Sequence, residues 1–174
     1  MQERKVCEQE CLISREIHWR FHLQLTKQLF QNRAGRNKTL RIVGKDADLS
    51  FTTTGRKYVV DDGHINMPGG QVYTVPLDES AEGKISFDFP AVFAGQYVDG
   101  IKLRFSEGKV VEAHADQNEA LLHQFLDMDE GAKRIGEFGV GTNYGIKRYC
   151  YDLLYDEKIG GTVHIALGRA YTQC

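Results

Sequence analysis

Residues 136–171 read GEFGVGTNYGIKRYCYDLLYDEKIGGTVHIALGRAY and hold the densest combination of glycines, carboxylates and aromatic residues in the chain. Glu137 lies in the glycine-rich run at the start, where glycine permits left-handed backbone or a close approach between segments. His164 lies near the end, in the apolar run TVHIAL, which is typical of a strand. A carboxylate and an imidazole on two rigid segments are donors that a divalent cation such as zinc uses. The stretch therefore indicates a metal site, with a hydrogen-bonded core histidine as the alternative for His164.

Composition limits the classes of protein that this chain represents. Its 174 residues are 41% hydrophobic, and a domain of this size buries about 70% of its unfolded surface, so a substantial core is expected. The 22 basic and 24 acidic residues give a net charge of -2, which provides no basic footprint for nucleic acid. The sequence has no run of about 18 apolar residues, and the start MQERK has no apolar signal segment. We expect a cytoplasmic protein without nucleic-acid or membrane partners.

The N-terminal part of the chain is typical of an amphipathic helix. Residues 14–32 carry an apolar stripe at steps of four, formed by Ile17, Phe21, Leu25 and Leu29. His18 and His22 share a flank of this helix, but Trp19 stands where a zincin would have its glutamate, so we favour two partly exposed histidines over a histidine-based metal carrier. The cysteines at 7, 11, 150 and 174 form no CxxC pair, and we expect reduced thiols.

After Gly35 the helical pattern gives way to short apolar runs separated by glycine and proline, which is typical of strands with tight connections. The predicted strands are 40–43, 48–53, 57–60, 72–75, 85–89, 101–105 and 110–113, and a hairpin turn is predicted at 107–109. Helices are predicted at Asn118–Met128 and Tyr144–Leu154, the second capped by Thr142 or Asn143. We therefore predict an α+β fold, a mostly antiparallel sheet with a few helices packed on it and one N-terminal amphipathic helix.

Several blocks of this chain, in order, resemble a known family. They are GRK at 55–57, NMPGGQV at 66–72, AEG at 81–83, GEFGVGTN at 136–143 and DEKIGGTVH at 156–164. They are similar to the metallo-aminopeptidases of the aminopeptidase T, aminopeptidase S and PepS group, also called the thermophilic or leucyl aminopeptidase II group. The resemblance covers residues 36–171, so it is far more specific than a single glycine motif.

The resemblance implies a function and a set of site residues. It implies hydrolysis of N-terminal residues from peptides at a site with two divalent ions, zinc or cobalt, with magnesium or manganese as alternatives, in a homodimer. Metal-ligand positions of the family fall on Gln71, Glu137 and His164, and an active-centre tyrosine falls on Tyr171. Glu137 would serve as ligand or base, and Tyr171 would stabilise the oxyanion.

Two departures from the family pattern weaken the expected activity. Gln71 replaces a glutamate, so it keeps an acceptor oxygen but loses the negative charge. The chain also ends at Cys174, before the family's further histidine and aspartate ligands, and residues 1–35 are too short for its N-terminal domain. We expect a lead-in at 1–35, a truncated metal-site domain at 36–174, and weak or absent activity. The alternative is a non-catalytic aminopeptidase-like module for dimerisation or peptide binding.

Overall fold

Short β-strands dominate the computed structural model, which describes residues 39–93 and 95–170. In chain order the elements are β1 (Thr39–Gly44), β2 (Ala47–Thr52), β3 (Val59–Asp61), β4 (Gln71–Thr74), β5 (Glu82–Ser86), β6 (Ala91–Phe93), β7 (Gln96–Val98), β8 (Lys102–Ser106), β9 (Lys109–His114), α1 (Glu119–Leu126), β10 (Ile135–Gly141), α2 (Leu153–Asp156) and β11 (Val163–Leu167). Strand formation follows from the alternation of buried and exposed residues, as in β8, where Leu103 and Phe105 are buried and their neighbours Lys102 and Arg104 are exposed.

The strands form two main sheets, and all pairs of neighbouring strands within them are antiparallel. One sheet has the order β1-β2-β5-β8-β9, the other has the order β11-β10-β4-β3, and β6 and β7 form a separate hairpin. Glu107 and Gly108 connect β8 to β9 with φ values of 51° and 76°, as expected for a two-residue hairpin turn. The predicted mostly antiparallel sheet region is therefore confirmed.

The two sheets share one hydrophobic core. Phe51 of the first sheet and Phe138 of the second are in ring contact, with centroids 5.0 Å apart and planes tilted by 59°. Leu122 and Leu126 of α1 belong to the same buried cluster. Burial of a phenylalanine or leucine side chain stabilises the fold by roughly 1.5 to 3 kcal/mol, so this cluster fixes how the sheets face each other.

The structure confirms most of the predicted elements within its described ranges and corrects one. Helix α1 lies inside the predicted 118–128, and the strands agree to within a few residues, β5 being shifted toward the N-terminus. The helix predicted at Tyr144–Leu154 is wrong, because only Leu153–Asp156 is helical. Tyr151 has a left-handed φ of 62°, and the preceding residues form turns whose polar groups bond to distant segments.

Other predictions lie outside the described residues. These are the N-terminal helix with its stripe, His18 and His22, the cysteines at 7, 11 and 174, and Tyr171. Within 39–93 and 95–170, the structure contains no helix long and apolar enough to cross a membrane.

Candidate metal centre

Three neighbouring strands of the second sheet carry the residues that the sequence singles out. His164 of β11 pairs with Gly139 of β10, and Gln71 of β4 pairs with Gly141. Side chains alternate along a strand, so Glu137 shares the face of Gly139 and Gly141. Phe138 and Ile165 contribute to the hydrophobic core on the other face. The pairing therefore gathers Glu137, His164 and Gln71 on the sheet face opposite the core.

Glu137 and His164 are in direct contact in a nearly water-free environment. The Nε2 atom of His164 lies 3.0 Å from Oε1 of Glu137, and the two side chains are only 2% and 7% exposed. The Nδ1 atom of His164 is buried and has no hydrogen-bond partner. If Nε2 carries the proton for Glu137, Nδ1 is left as a lone pair without a donor, which is costly unless something occupies that position.

Gly139 makes the position of the His164 ring possible. A Cβ atom on Gly139 would lie 2.2 Å from Cε1 and 2.3 Å from Nε2 of His164, a separation that no side chain tolerates. The φ angle of Gly139 lies outside the left-handed range, so its glycine is required for close approach and not for backbone conformation. The close-approach interpretation of this glycine-rich run is thus confirmed at Gly139.

Gln71 belongs to a buried polar cluster next to this pair. Its Nε2 atom donates to Oε1 of Glu157 at 3.1 Å, while its Oε1 is buried without a partner. The same oxygen of Glu157 accepts from the ammonium of Lys158, whose Nζ also lies 3.5 Å from Oδ2 of Asp61. Gln71, Glu157, Lys158 and Asp61, called here the Lys158 cluster, are all buried.

The Lys158 cluster is anchored by backbone donors and interacts electrostatically with the Glu137 and His164 pair. Asp61 Oδ1 accepts backbone N–H groups from Gly63 and Asn66, both at 3.2 Å. Burial raises the pKa of Glu157, while the charges of Lys158 and His164 lower it and that of Glu137 raises it. Because the field of Glu137 and His164 reaches Glu157, the two groups of residues form one electrostatic unit.

Sequence reasoning assigned no role to Asp61, Glu157 or Lys158. Glu157 and Lys158 lie in the DEKIGG run, a signal that the resemblance contained but that carried no functional assignment. Asp61 is the last residue of the short strand β3, at the start of a glycine-rich loop, where an aspartate is ordinarily a turn residue. Their proximity depends on the pairing of β3 with β4, in which Asp61 lies opposite Gln71.

The separation of Glu137 and His164 fits a divalent cation, but the number of ligands does not. Two donors bound to one tetrahedral zinc ion at about 2.0 to 2.1 Å lie roughly 3.3 Å apart, close to the observed separation of Glu137 and His164. Oε1 of Gln71 and Oδ2 of Asp61 are further buried oxygens without a hydrogen-bond partner. Among the described residues, however, no group of three or more histidines, cysteines, aspartates or glutamates is placed to hold a metal ion. The described residues therefore bring two candidate donors together but no complete ligand set.

The fold and site define an antiparallel β-sheet protein with a buried carboxylate and imidazole pair on one sheet face. The family described as thermophilic metalloprotease (M29) matches residues 16–174, and the chain belongs to this family.

Relatives and solved structures agree with this assignment. Aminopeptidase T of Thermus aquaticus is 38% identical over 112 residues, covering 62% of this chain and 27% of the relative. Aminopeptidase 2 of Geobacillus stearothermophilus is 33% identical over 110 residues, covering 61% and 26%. The structure of wild-type AmpT from Thermus thermophilus matches 93% of this chain and 43% of that chain, with a TM-score of 0.76 and 28% identity. The sequence matches thus cover about a quarter of the length of the two curated relatives, and the structural match covers less than half of the AmpT chain.

A more distant structure shares the fold alone. The 2,5-dihydroxypyridine dioxygenase of Pseudomonas putida KT2440 matches 73% of this chain with a TM-score of 0.51 and 18% identity. The fold therefore accompanies different chemistries, and any function has to be argued from the site.

Proposed function

We propose that this chain forms part of a divalent-metal aminopeptidase, in which Glu137 and His164 hold the cation and a peptide N-terminus is the substrate. The observation that carries the proposal is the buried contact between these two side chains, 3.0 Å apart on adjacent strands. Membership of a metalloprotease family and relatives named aminopeptidases support the same class of reaction.

The proposed roles follow from the chemistry of the side chains. A bound divalent cation polarises a carbonyl group and lowers the pKa of water to about 7. Glu137 coordinates or accepts a proton, because its carboxylate is the anionic group in contact with His164. Tyr171, a role taken from the resemblance, donates a hydrogen bond to the developing oxyanion. Gln71, at a third ligand position by the resemblance, would offer a neutral oxygen.

The finer features of the proposal come from the resemblance. We propose that an intact site of the family holds two ions, zinc or cobalt, with magnesium or manganese as alternatives, and that this chain provides ligands for the one at Glu137 and His164. We also propose a homodimer in the cytoplasm, a lead-in at 1–35 and a metal-site domain at 36–174. Sedimentation of the purified chain tests the dimer, because a monomer at micromolar concentration would contradict it.

Calorimetric titration with zinc or cobalt tests the role of the two ligands. We expect saturable binding that weakens at least about tenfold in His164→Ala and in Glu137→Gln, because each substitution removes one donor. His123→Ala is the matched control, since His123 is an exposed histidine of α1 whose ring nitrogen lies 4.0 Å from Glu119. Binding that survives both site substitutions would contradict the proposed ligands.

Hydrolysis of leucine p-nitroanilide tests the reaction. We expect slow release of nitroaniline that requires added zinc or cobalt, stops in EDTA and is lost in His164→Ala. Hydrolysis that persists in EDTA would contradict a metal-dependent mechanism.

A second candidate function is a non-catalytic module for dimerisation or peptide binding. It is favoured by one observation: the Gln71 amide satisfies Glu157 where a carboxylate would add negative charge. Under this alternative, the chain binds metal through Glu137 and His164 but hydrolyses no anilide or peptide substrate. The two assays together therefore separate the candidates.

A further inference from the structure

We propose that the Gln71 amide and the Lys158 ammonium replace a cation in the Lys158 cluster, so that this part of the site folds without metal and leaves room for one dication, at Glu137 and His164. The second half of this inference rests on the proposed function, whereas the first half does not. Gln71 is a positioning residue in this account.

The contacts in the cluster show how its charges are balanced. Nε2 of Gln71 and Nζ of Lys158 both donate to Oε1 of Glu157, so two protein donors occupy the oxygen that a cation would use. Lys158 is fully buried, and its Nζ also lies 3.5 Å from Asp61 Oδ2. The other oxygen of Asp61 is held by two backbone N–H groups. Glu157 thus has donors from the protein itself, and Asp61 has two backbone donors and the nearby Lys158 charge, while Oδ2 of Asp61 and Oε1 of Gln71 make no hydrogen bond.

A carboxylate at position 71 would upset this balance. A glutamate of the same shape would place an oxygen about where the Gln71 amide nitrogen now lies, 3.1 Å from Glu157 Oε1. Two carboxylates at that distance repel strongly in a buried site, so one of them takes up a proton or a further cation is needed beside Lys158. Lys158 would then face three carboxylates, at 61, 71 and 157, with Glu137 adding to the same field. Glutamine at 71 removes the need for a cation at this position.

Thermal unfolding of the full chain in EDTA tests the inference directly. Gln71→Glu is expected to lower the melting temperature by roughly 6 °C or more, because it buries an uncompensated charge. Added zinc should raise the melting temperature of Gln71→Glu by more than it raises that of the unsubstituted protein. Gln96→Glu, the same substitution at an exposed strand residue, is the matched control and should shift the melting temperature by less than about 2 °C.

A charge exchange keeps the test decisive even if Gln71→Glu does not fold. The double variant Gln71→Glu with Glu157→Gln again has one amide and one carboxylate at this contact. In EDTA it should fold even if Gln71→Glu does not, and otherwise it should recover at least half of the melting temperature that Gln71→Glu loses, because the number of buried charges is restored. A double variant no more stable than Gln71→Glu, or a Gln71→Glu protein as stable in EDTA as the unsubstituted one, would overturn the proposal.

Metal stoichiometry tests the second half and separates it from the proposed function. We expect one zinc ion per chain in the unsubstituted protein and two in Gln71→Glu, measured by equilibrium dialysis. Two ions in the unsubstituted chain would overturn the single-cation inference. Loss of zinc binding by both proteins would count against the proposed function, while the stability results in EDTA would still decide the role of Gln71.

Discussion

The position of the His164 ring depends on the glycine at residue 139. Its imidazole lies across β10 at Gly139, where a Cβ would be 2.2 Å from the ring. Gly139→Ala should therefore displace the ring from Glu137, weaken zinc binding at least about tenfold and destabilise the protein by about 1 to 3 kcal/mol, as overpacked sites do.

Calorimetry and urea unfolding measure the two effects of Gly139→Ala. The control is Gly44→Ala, because a Cβ on Gly44 meets its nearest atom at an ordinary 3.9 Å. Zinc affinity equal in both variants would contradict the proposed dependence of the site on close approach at Gly139.

The pKa of the Cys150 thiol reports on the electrostatics of the loop that leads into α2. Cys150 is exposed as a residue, but partial desolvation of its thiol and, next, the charge of Asp156 raise its pKa to about 11. An ordinary thiol has a pKa of about 8.5, so Cys150 holds its proton more tightly in the folded state, and the associated stability is present below pH 8.5 and is lost as the pH rises toward 11. Alkylation of Cys150 by iodoacetamide, followed by peptide mass spectrometry, should therefore accelerate about tenfold per pH unit from pH 8 to 10. A plateau below pH 9 would contradict the raised pKa.

At the residue scale, the sequence indicated that Glu137 and His164 belong to one site, but it did not indicate the hydrogen-bond partners of Gln71. Glu137 and His164 were identified as neighbours because glycine-flanked carboxylates and strand histidines are recognisable locally. The bond of Gln71 to Glu157 spans 86 residues, and only strand pairing brings the two together. Lys158 was missed because a lysine in a charged run is ordinarily a solvated residue, whereas this one is fully buried.

At the element scale, tertiary hydrogen bonds explain why the predicted helix at 144–154 was wrong. Its apolar residues recur at steps of three and four, the pattern of a helix. Asn143 and Tyr149 bond instead to distant carbonyls, Asn143 Nδ2 to Gly69 and the Tyr149 hydroxyl to Pro90. The hairpin of β6 and β7 was missed because each of its strands has only three residues, too few for a clear alternation.

Asp156 holds the loop before α2 and so positions Glu157 and Lys158. Its two carboxylate oxygens accept the backbone N–H groups of Cys150 and Asp152, each at 2.9 Å, and the residue is fully buried. Asp156→Ala should lower the free energy of unfolding by about 2 to 4 kcal/mol, because it leaves two amides without an acceptor.

Urea denaturation measures this loss. The comparison is Asp152→Ala, which removes an exposed N-cap carboxylate that accepts from Leu154 at 3.0 Å and should cost about 1 kcal/mol. An Asp156→Ala protein no less stable than Asp152→Ala would contradict the anchoring role.

At the scale of the whole molecule, the two sheets together enclose the core, and only the second sheet carries the candidate site. The first sheet and one face of the second enclose the core around Phe51 and Phe138, while the other face of the second sheet carries Glu137 and His164. Sequence alternation was sufficient to predict this strand-rich, antiparallel architecture. It could not predict which strands would be neighbours, because β10 pairs with β4 across more than sixty residues. The candidate site therefore depends on which strands pair as much as on the local sequence motifs.

The central claim is that Glu137 and His164 together hold a divalent cation on this sheet face. An anomalous difference map, recorded at the zinc absorption edge from crystals grown with zinc, tests it most directly. We expect a strong peak within about 2.0 to 2.2 Å of both a ring nitrogen of His164 and a carboxylate oxygen of Glu137. Strong zinc peaks elsewhere, with the hydrogen bond between His164 and Glu137 intact, would contradict it.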